Sequence, residues 1–120
     1  MASGHQLGQW GEDVARLFLE MCGYRCLSQG FRRPGGELDL VVDRNGLLVF
    51  VEVKTRGPRT MEPPETWLTR RQLHLLRRMA GIWLAEHPGV RHRGFRFDVV
   101  AIVHGGDVRG SEIRHLTGVG

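Results

Sequence analysis

The chain has 120 residues, a formal net charge of +4 and a hydrophobic fraction of 41%, which fits a soluble globular protein with one sizeable core. No apolar run approaches the ~20 residues a membrane span needs, and Met1-Ala2-Ser3-Gly4-His5-Gln6 lacks the basic start and apolar stretch of a signal peptide, so no membrane partner and a cytoplasmic location are expected. The basic excess favours an anionic partner, most commonly nucleic acid, with a solvated arginine-rich surface as the plain alternative.

In chain order, Leu7, Trp10, Val14, Leu17, Phe18 and Met21 recur at three- and four-residue steps and predict one apolar helix face, stopped at Gly23. Cys22 and Cys26 read as small buried residues, because two cysteines with no nearby histidine pair make a poor zinc site. Tyr24 to Ser28 reads as a short strand and Gln29 to Gly36 as a loop. Two strands follow, Glu37 to Asp43 and Leu47 to Lys54, joined by Asn45-Gly46, a strong two-residue hairpin signal. Pro58, Pro63 and Pro64 mark an irregular loop over Gly57 to Glu65. A second helix is predicted from about Thr69 to Glu86, opened by a Thr69/Gln72 capping box and closed by Pro88-Gly89. Phe95 to His104 is an apolar strand, and Glu112 to Thr117 a candidate edge strand. There is no repeat and no linker, so residues 1–120 read as a single α/β domain in the order α-β-β-β-α-β, with a mixed sheet.

The hairpin carries the chemistry. With a two-residue loop, Asp39 faces Glu52 and Glu37 faces Lys54, and alternation puts all four on one face. The other face is Leu38, Leu40 and Val42 against Val49, Val51 and Val53, an apolar set that pins the register. Directly opposed carboxylates, with Cβ atoms about 4.5–5.5 Å apart, cost stability. A hard divalent cation such as Mg²⁺ or Mn²⁺ would compensate, since it takes carboxylate oxygens and substrate phosphate. The bland alternative is a surface ladder of ion pairs, which leaves Asp39 against Glu52 unrelieved. Phe50 and Leu48 on that same face point to a partly covered cleft. Of seventeen basic residues sixteen are arginine, and the one lysine is Lys54, two residues beyond Glu52. An ammonium is a compact charge that a guanidinium does not replace.

Asp39, twelve intervening residues, then Glu52-x-Lys54 resembles the PD-(D/E)xK nuclease superfamily. Gly36-Glu37-Leu38-Asp39-Leu40, Val49-Phe50-Val51-Glu52-Val53-Lys54-Thr55-Arg56, Gly11-Glu12-Asp13-x-Ala15 and Arg96-Phe97-Asp98-Val99-Val100 together resemble the YraN family of bacterial proteins over nearly the whole chain. The resemblance implies a restriction-endonuclease-like core, a metal site for phosphodiester cleavage and kinship with Holliday-junction resolvases. It makes Asp39 and Glu52 metal ligands, Lys54 the catalytic lysine and Glu12 the third acid. Read from its residues alone, Glu12 lies off the Leu7-Trp10-Val14 stripe, nearer Ala15 and Leu19. It serves only if that second face looks at the acidic edge, with Gly8 and Gly11 allowing close approach. Family members often carry Lys where this chain has Arg71, ahead of Gln72.

The candidate nucleic-acid contacts are Arg32, Arg33, Arg56, Arg70, Arg71 and Gln72, with Gln72 also serving as the helix cap. Trp67 and Trp83 read as core, and Asp98 as a hydrogen-bonded structural acid. Three readings stay open: an Mg²⁺-dependent endonuclease on branched or single-stranded DNA, a non-catalytic nucleic-acid-binding module, and a protein-interaction partner. A homodimer would set two sites across two strands by symmetry.

Overall fold

The computed structural model describes residues 4–105 and 110–120, with side chains from Gly8 onward; the side chain of Leu7 lies outside the described residues. The elements are α1 (Gly4–Met21), β1 (Arg25–Arg33), β2 (Gly36–Arg44), β3 (Leu47–Arg56), a 3-10 turn (Pro64–Thr66), α2 (Arg70–Glu86), β4 (Gly94–Val103) and β5 (Glu112–Leu116). The five strands form one mixed sheet in the order β1-β2-β3-β4-β5. All neighbours are antiparallel except β3 and β4, which the α2 crossover makes parallel. This is the restriction-endonuclease-like arrangement, a mixed sheet flanked by helices.

Each face of the sheet is covered by one helix. Leu40, Val42, Val49, Val51, Val100 and Ile102 pack with Ala15 and Leu19 of α1. Leu38, Val41, Leu48 and Phe50 pack with Leu76, Met79, Ala80 and Trp83 of α2. The central strand β3 is therefore buried on both faces, which is why it reads as an almost unbroken apolar run until Glu52.

The hairpin forms as predicted. Asn45 (φ 53°) and Gly46 (φ 80°) both take the positive φ that a type I′ turn needs, and Arg44 pairs with Leu47. The ladder runs only to Leu40 against Val51. Beyond it the expected pairs Asp39–Glu52 and Glu37–Lys54 do not form, because the Val53 N–H donates to Asp39 Oδ2 at 2.8 Å instead of to a strand carbonyl. Leu38, expected on one face with Leu40, sits instead in the α2 cluster.

Three further expectations are corrected. The stretch Gln29 to Gly36 is not a loop. β1 continues to Arg33, which pairs with Gly36 across a Pro34-Gly35 turn. Proline presets φ at the first turn position, and Gly35 supplies φ 93° at the second. The stripe predicted for α1 holds in part: Trp10, Val14 and Phe18 pack against the core, but the fully buried residues are Ala15 and Leu19, and Leu17 is 58% and Met21 88% exposed. Cys22 is exposed and Cys26 half-buried, both free thiols.

Candidate metal centre

The site forms where β2 and β3 part. Asp39 is fixed by its bond from the Val53 amide. One residue on, β2 rejoins the ladder, so the carboxylate stands at the mouth of the split. Glu37 lies two residues earlier on β2, and Arg32 Nη2 donates to its Oε2 at 3.1 Å. Glu12 arrives from α1. The helix can come this close because position 11 is glycine: a Cβ there would collide with Thr55 Oγ1 and touch Val53 Cγ1. Gly8, the other residue expected to permit close approach, faces open space.

One carboxylate oxygen from each of Glu12, Glu37 and Asp39 lies within 4.8 Å of the others. Glu52 stands beside this trio, its Oε1 3.4 Å from Lys54 Nζ. Of the acids expected to gather, the fold thus brings Glu12 and Asp39 together, adds Glu37, and assigns Glu52 to the lysine. The two-residue step from Glu37 to Asp39 put both acids on one face, but pairing Glu37 with Lys54 in an ideal ladder concealed its place in the trio. Lys54 has only 11% of its side chain exposed. Phe50 and Leu48, further along the same face of β3, are fully buried against α2, and the apolar lining beside Glu52 comes from Leu75 and Leu76 of α2.

The electrostatics record the crowding. Burial, then the charges of Glu37, Asp13 and Glu52, push the Glu12 carboxyl up to about 7, with Arg32 opposing. Burial and the Glu52 charge raise Asp39 well above the usual carboxylate range, against the Val53 N–H. Burial also raises Glu52, with the Lys54 ammonium pulling the other way. Carboxyls held this way resist ionising together. A set of oxygen donors whose mutual repulsion a divalent charge would relieve suits a hard cation.

The predicted nucleic-acid contacts divide. Arg32 borders the site through Glu37. Arg33 is turned away into a two-pronged pair with Glu86, its Nε 3.1 and 2.9 Å from the two oxygens, and lies over the Phe31 ring. Arg56 lies over Trp67 and donates to the Thr55 carbonyl. Arg70 and Arg71 occupy the exposed first turn of α2. Gln72 completes the capping box with Thr69, at 3.0 and 3.1 Å, and also lines a 120 Å³ cavity with Gly36, Glu37 and Glu52. Trp67 and Trp83 are core residues, their indole N–H groups bonded to the Glu62 carbonyl and Ser28 Oγ.

Residues 11–102 match the model of the uncharacterised protein family UPF0102. The chain belongs to that family. It is the YraN family, whose four sequence blocks surround the split between β2 and β3 or the sheet beside it. A UPF0102 protein of Beutenbergia cavernae is 42% identical over 120 residues, the whole of both chains. One from Nitratidesulfovibrio vulgaris is 38% identical over 113 residues, 94% of this chain and 82% of the relative. One from Moorella thermoacetica is 40% identical over 95 residues, 79% of this chain and 78% of the relative.

Proposed function

We propose that this UPF0102 member is a metal-dependent endonuclease acting on DNA, at branched or single-stranded structures. One observation carries the reading: Glu12, Glu37 and Asp39 converge to 4.8 Å beside a nearly buried Lys54–Glu52 pair. A solvated ladder of ion pairs would leave its acids apart and its lysine in water. Four acids share the place with one lysine and one close arginine, a costly arrangement unless a cation or a reacting phosphate belongs there.

Glu12, Glu37 and Asp39 would hold Mg²⁺ or Mn²⁺, with Glu52 contributing from β3. When bound, the cation supplies Lewis-acid polarisation of a phosphoryl oxygen and a lower pKa for attached water. The chain's own residues do the rest. The Val53 amide fixes Asp39 so that its free oxygen keeps one direction. Glu52 holds the Lys54 ammonium at 3.4 Å, where it stabilises charge developing on the phosphate. Leu75 and Leu76 of α2 cover one side of the cavity at Glu37 and Glu52, and excluding water there strengthens these interactions. Arg32 borders the site, and it and the exposed Arg70 and Arg71, beside Gln72 on α2, would take flanking phosphates, which position a strand without reading its sequence.

The test is cleavage of labelled single-stranded, duplex, flap and four-way-junction DNA with Mg²⁺ or Mn²⁺, with Asp39→Ala and Lys54→Ala beside the wild type. Metal-dependent cutting that falls at least ~100-fold in both variants supports the assignment. Absence of cutting, with DNA binding intact in every form, overturns it in favour of a binding module.

A further inference from the structure

The acid trio opens on one side into a cavity of 590 Å³ lined by Gly8, Gln9, Glu12, Asp13, Gln29, Gly30, Arg32 and Glu37. A typical small-ligand site falls in the range of about 300–1,000 Å³. Two walls keep it open. Gly8 and Gly30 have nothing within 4 Å of where a Cβ would stand, and Gly30 holds φ +68° inside β1, a conformation that other residues rarely take.

The polar groups of the cavity are ordered. Gln29 Nε2 donates to Asp13 Oδ1 at 2.8 Å and Gln9 Nε2 to the same oxygen at 3.2 Å. Arg16 in turn donates to Gln29 Oε1 at 3.1 Å, fixing that amide from behind. Asp13 Oδ2 accepts from no described residue, which leaves a carboxylate oxygen free in a braced group.

The charge selects the guest. Glu12 and Glu37 are engaged at the trio, which leaves Asp13 as the acid facing a guest; its free oxygen repels a phosphate and accepts from a neutral group rich in N–H donors. A nucleobase has that character, and carboxylates are good acceptors for base amino groups. Asp13 Oδ1 already accepts from two amides, so Oδ2 has one contact to offer, which an exocyclic amino group such as that of guanine fills and thymine, having none, does not. Because Glu12 and Glu37 belong to both the cavity and the acid trio, a nucleotide whose phosphate lies at the trio would place its base here.

Resting on the nuclease reading, we propose that this cavity receives one unpaired nucleobase next to the phosphate at the acid trio, with an amino-bearing base preferred over thymine. A base stacked and paired in a duplex cannot enter, so the substrate class is DNA with an unpaired nucleotide beside the scissile bond.

The probes are 2′-deoxyguanosine 5′-monophosphate, thymidine 5′-monophosphate and base-free deoxyribose 5-phosphate, titrated in Mg²⁺ against wild type, Gly8→Leu and Asp13→Asn. Gly8→Leu fills the cavity from a helix position that has room for it. The wild type should bind the guanine nucleotide at least tenfold more tightly than the base-free sugar phosphate, and more tightly than the thymine nucleotide. Gly8→Leu should remove that advantage and leave the sugar phosphate unchanged, and Asp13→Asn should erase the preference for guanine over thymine. Equal wild-type affinity for the guanine nucleotide and the sugar phosphate overturns the proposal, as does an undiminished preference in Gly8→Leu. Cleavage of flap DNA, run in parallel, separates the two readings. Cutting without base discrimination overturns the cavity and keeps the nuclease. Base discrimination without cutting keeps the cavity and overturns the nuclease.

Discussion

At Asp39 and Glu12 the fold opposes the ionisation that a metal site needs. A carboxyl with a raised folded pKa binds more protons folded than unfolded, so its contribution to stability falls as pH rises from the unfolded value of about 4 through the folded one. For Glu12 that window closes at about 7, and Asp39 shifts in the same direction. The metal-free protein should therefore melt at a lower temperature at pH 8.5 than at pH 5.5. Asp39→Asn keeps an acceptor for the Val53 N–H and removes the charge, so it should raise the melting temperature at pH 8.5 in chelator and flatten the slope. Added Mg²⁺ should stabilise the wild type more at pH 8.5 than at pH 5.5. Thermal denaturation across pH reads all three, and an unchanged slope in Asp39→Asn would count against the crowding described here. Lys54 makes a second residue-scale case. With 11% of its side chain exposed, the ammonium is held as a compact charge in a confined place, and a guanidinium would bring a larger planar group there. Lys54→Arg should be as inactive as Lys54→Ala in the DNA-cleavage assay while keeping near wild-type far-UV circular dichroism.

At the scale of elements, the approach of α1 to β3 decides whether Glu12 joins the site. Gly11→Ala should push the helix off Thr55, costing about 1–3 kcal/mol as an overpacked contact, and should weaken Mn²⁺ binding by moving Glu12. The same Cβ meets Thr55 Cβ at 3.6 Å and Val53 Cγ1 at 3.7 Å, ordinary contacts. Removing Oγ1 alone should therefore relieve the clash. The double variant Gly11→Ala/Thr55→Ala should recover both stability and Mn²⁺ affinity, and chemical denaturation with calorimetric titration would show it. Failure of the second change to rescue the first would mean that the glycine is needed for something other than the Thr55 contact. The capping box of α2 was legible because its bonds span three residues. The turn after β1 was not: Arg32 and Arg33 look like loop residues until Pro34-Gly35 folds them back on β2.

Across the whole molecule, Asp98 ties the C-terminal part of the chain to the sheet. Fully buried, it accepts from Arg96 at 2.7 and 2.8 Å and from the Gly118 N–H at 3.0 Å, and stands 2.7 Å from His115 Nε2. Arg96 also donates to Tyr24, at the end of the α1–β1 connection. Burial would raise the Asp98 carboxyl, but His115, Arg96 and the Gly118 amide outweigh it and hold it below its usual value. A depressed acid contributes stability above its unfolded pKa of about 3.9 and loses it as pH falls through the lower folded value. Asp98→Ala should cost about 1–3 kcal/mol at pH 7, since it leaves the half-buried Arg96 guanidinium and the Gly118 N–H without their acceptor, and should blunt the acid-unfolding transition, as urea melts at pH 3 and pH 7 would reveal.

The sequence by itself determined the parts of this protein that depend on near neighbours. The I′ turn at Asn45-Gly46, the apolar run of β3, the capping box and the placing of Asp39, Glu52 and Lys54 at one end of a hairpin all follow from short-range periodicity and turn chemistry. The structural part assigned to Asp98 was legible too, because a lone acid in an apolar strand needs partners. Only the tertiary structure decided which face of α1 is buried. The sheet takes the Gly11-Ala15-Leu19 line deepest, because Gly11 and Ala15 let the helix seat closely, and Trp10, Val14 and Phe18 pack beside it. That choice carries Glu12 inward. Tertiary structure also decided where the β2–β3 ladder stops. Once Asp39 takes the Val53 amide, the strands part, Glu37 turns towards Glu12, and Glu52 is left to Lys54. An ideal ladder predicts none of this, because the competing acceptor is a side chain on the facing strand.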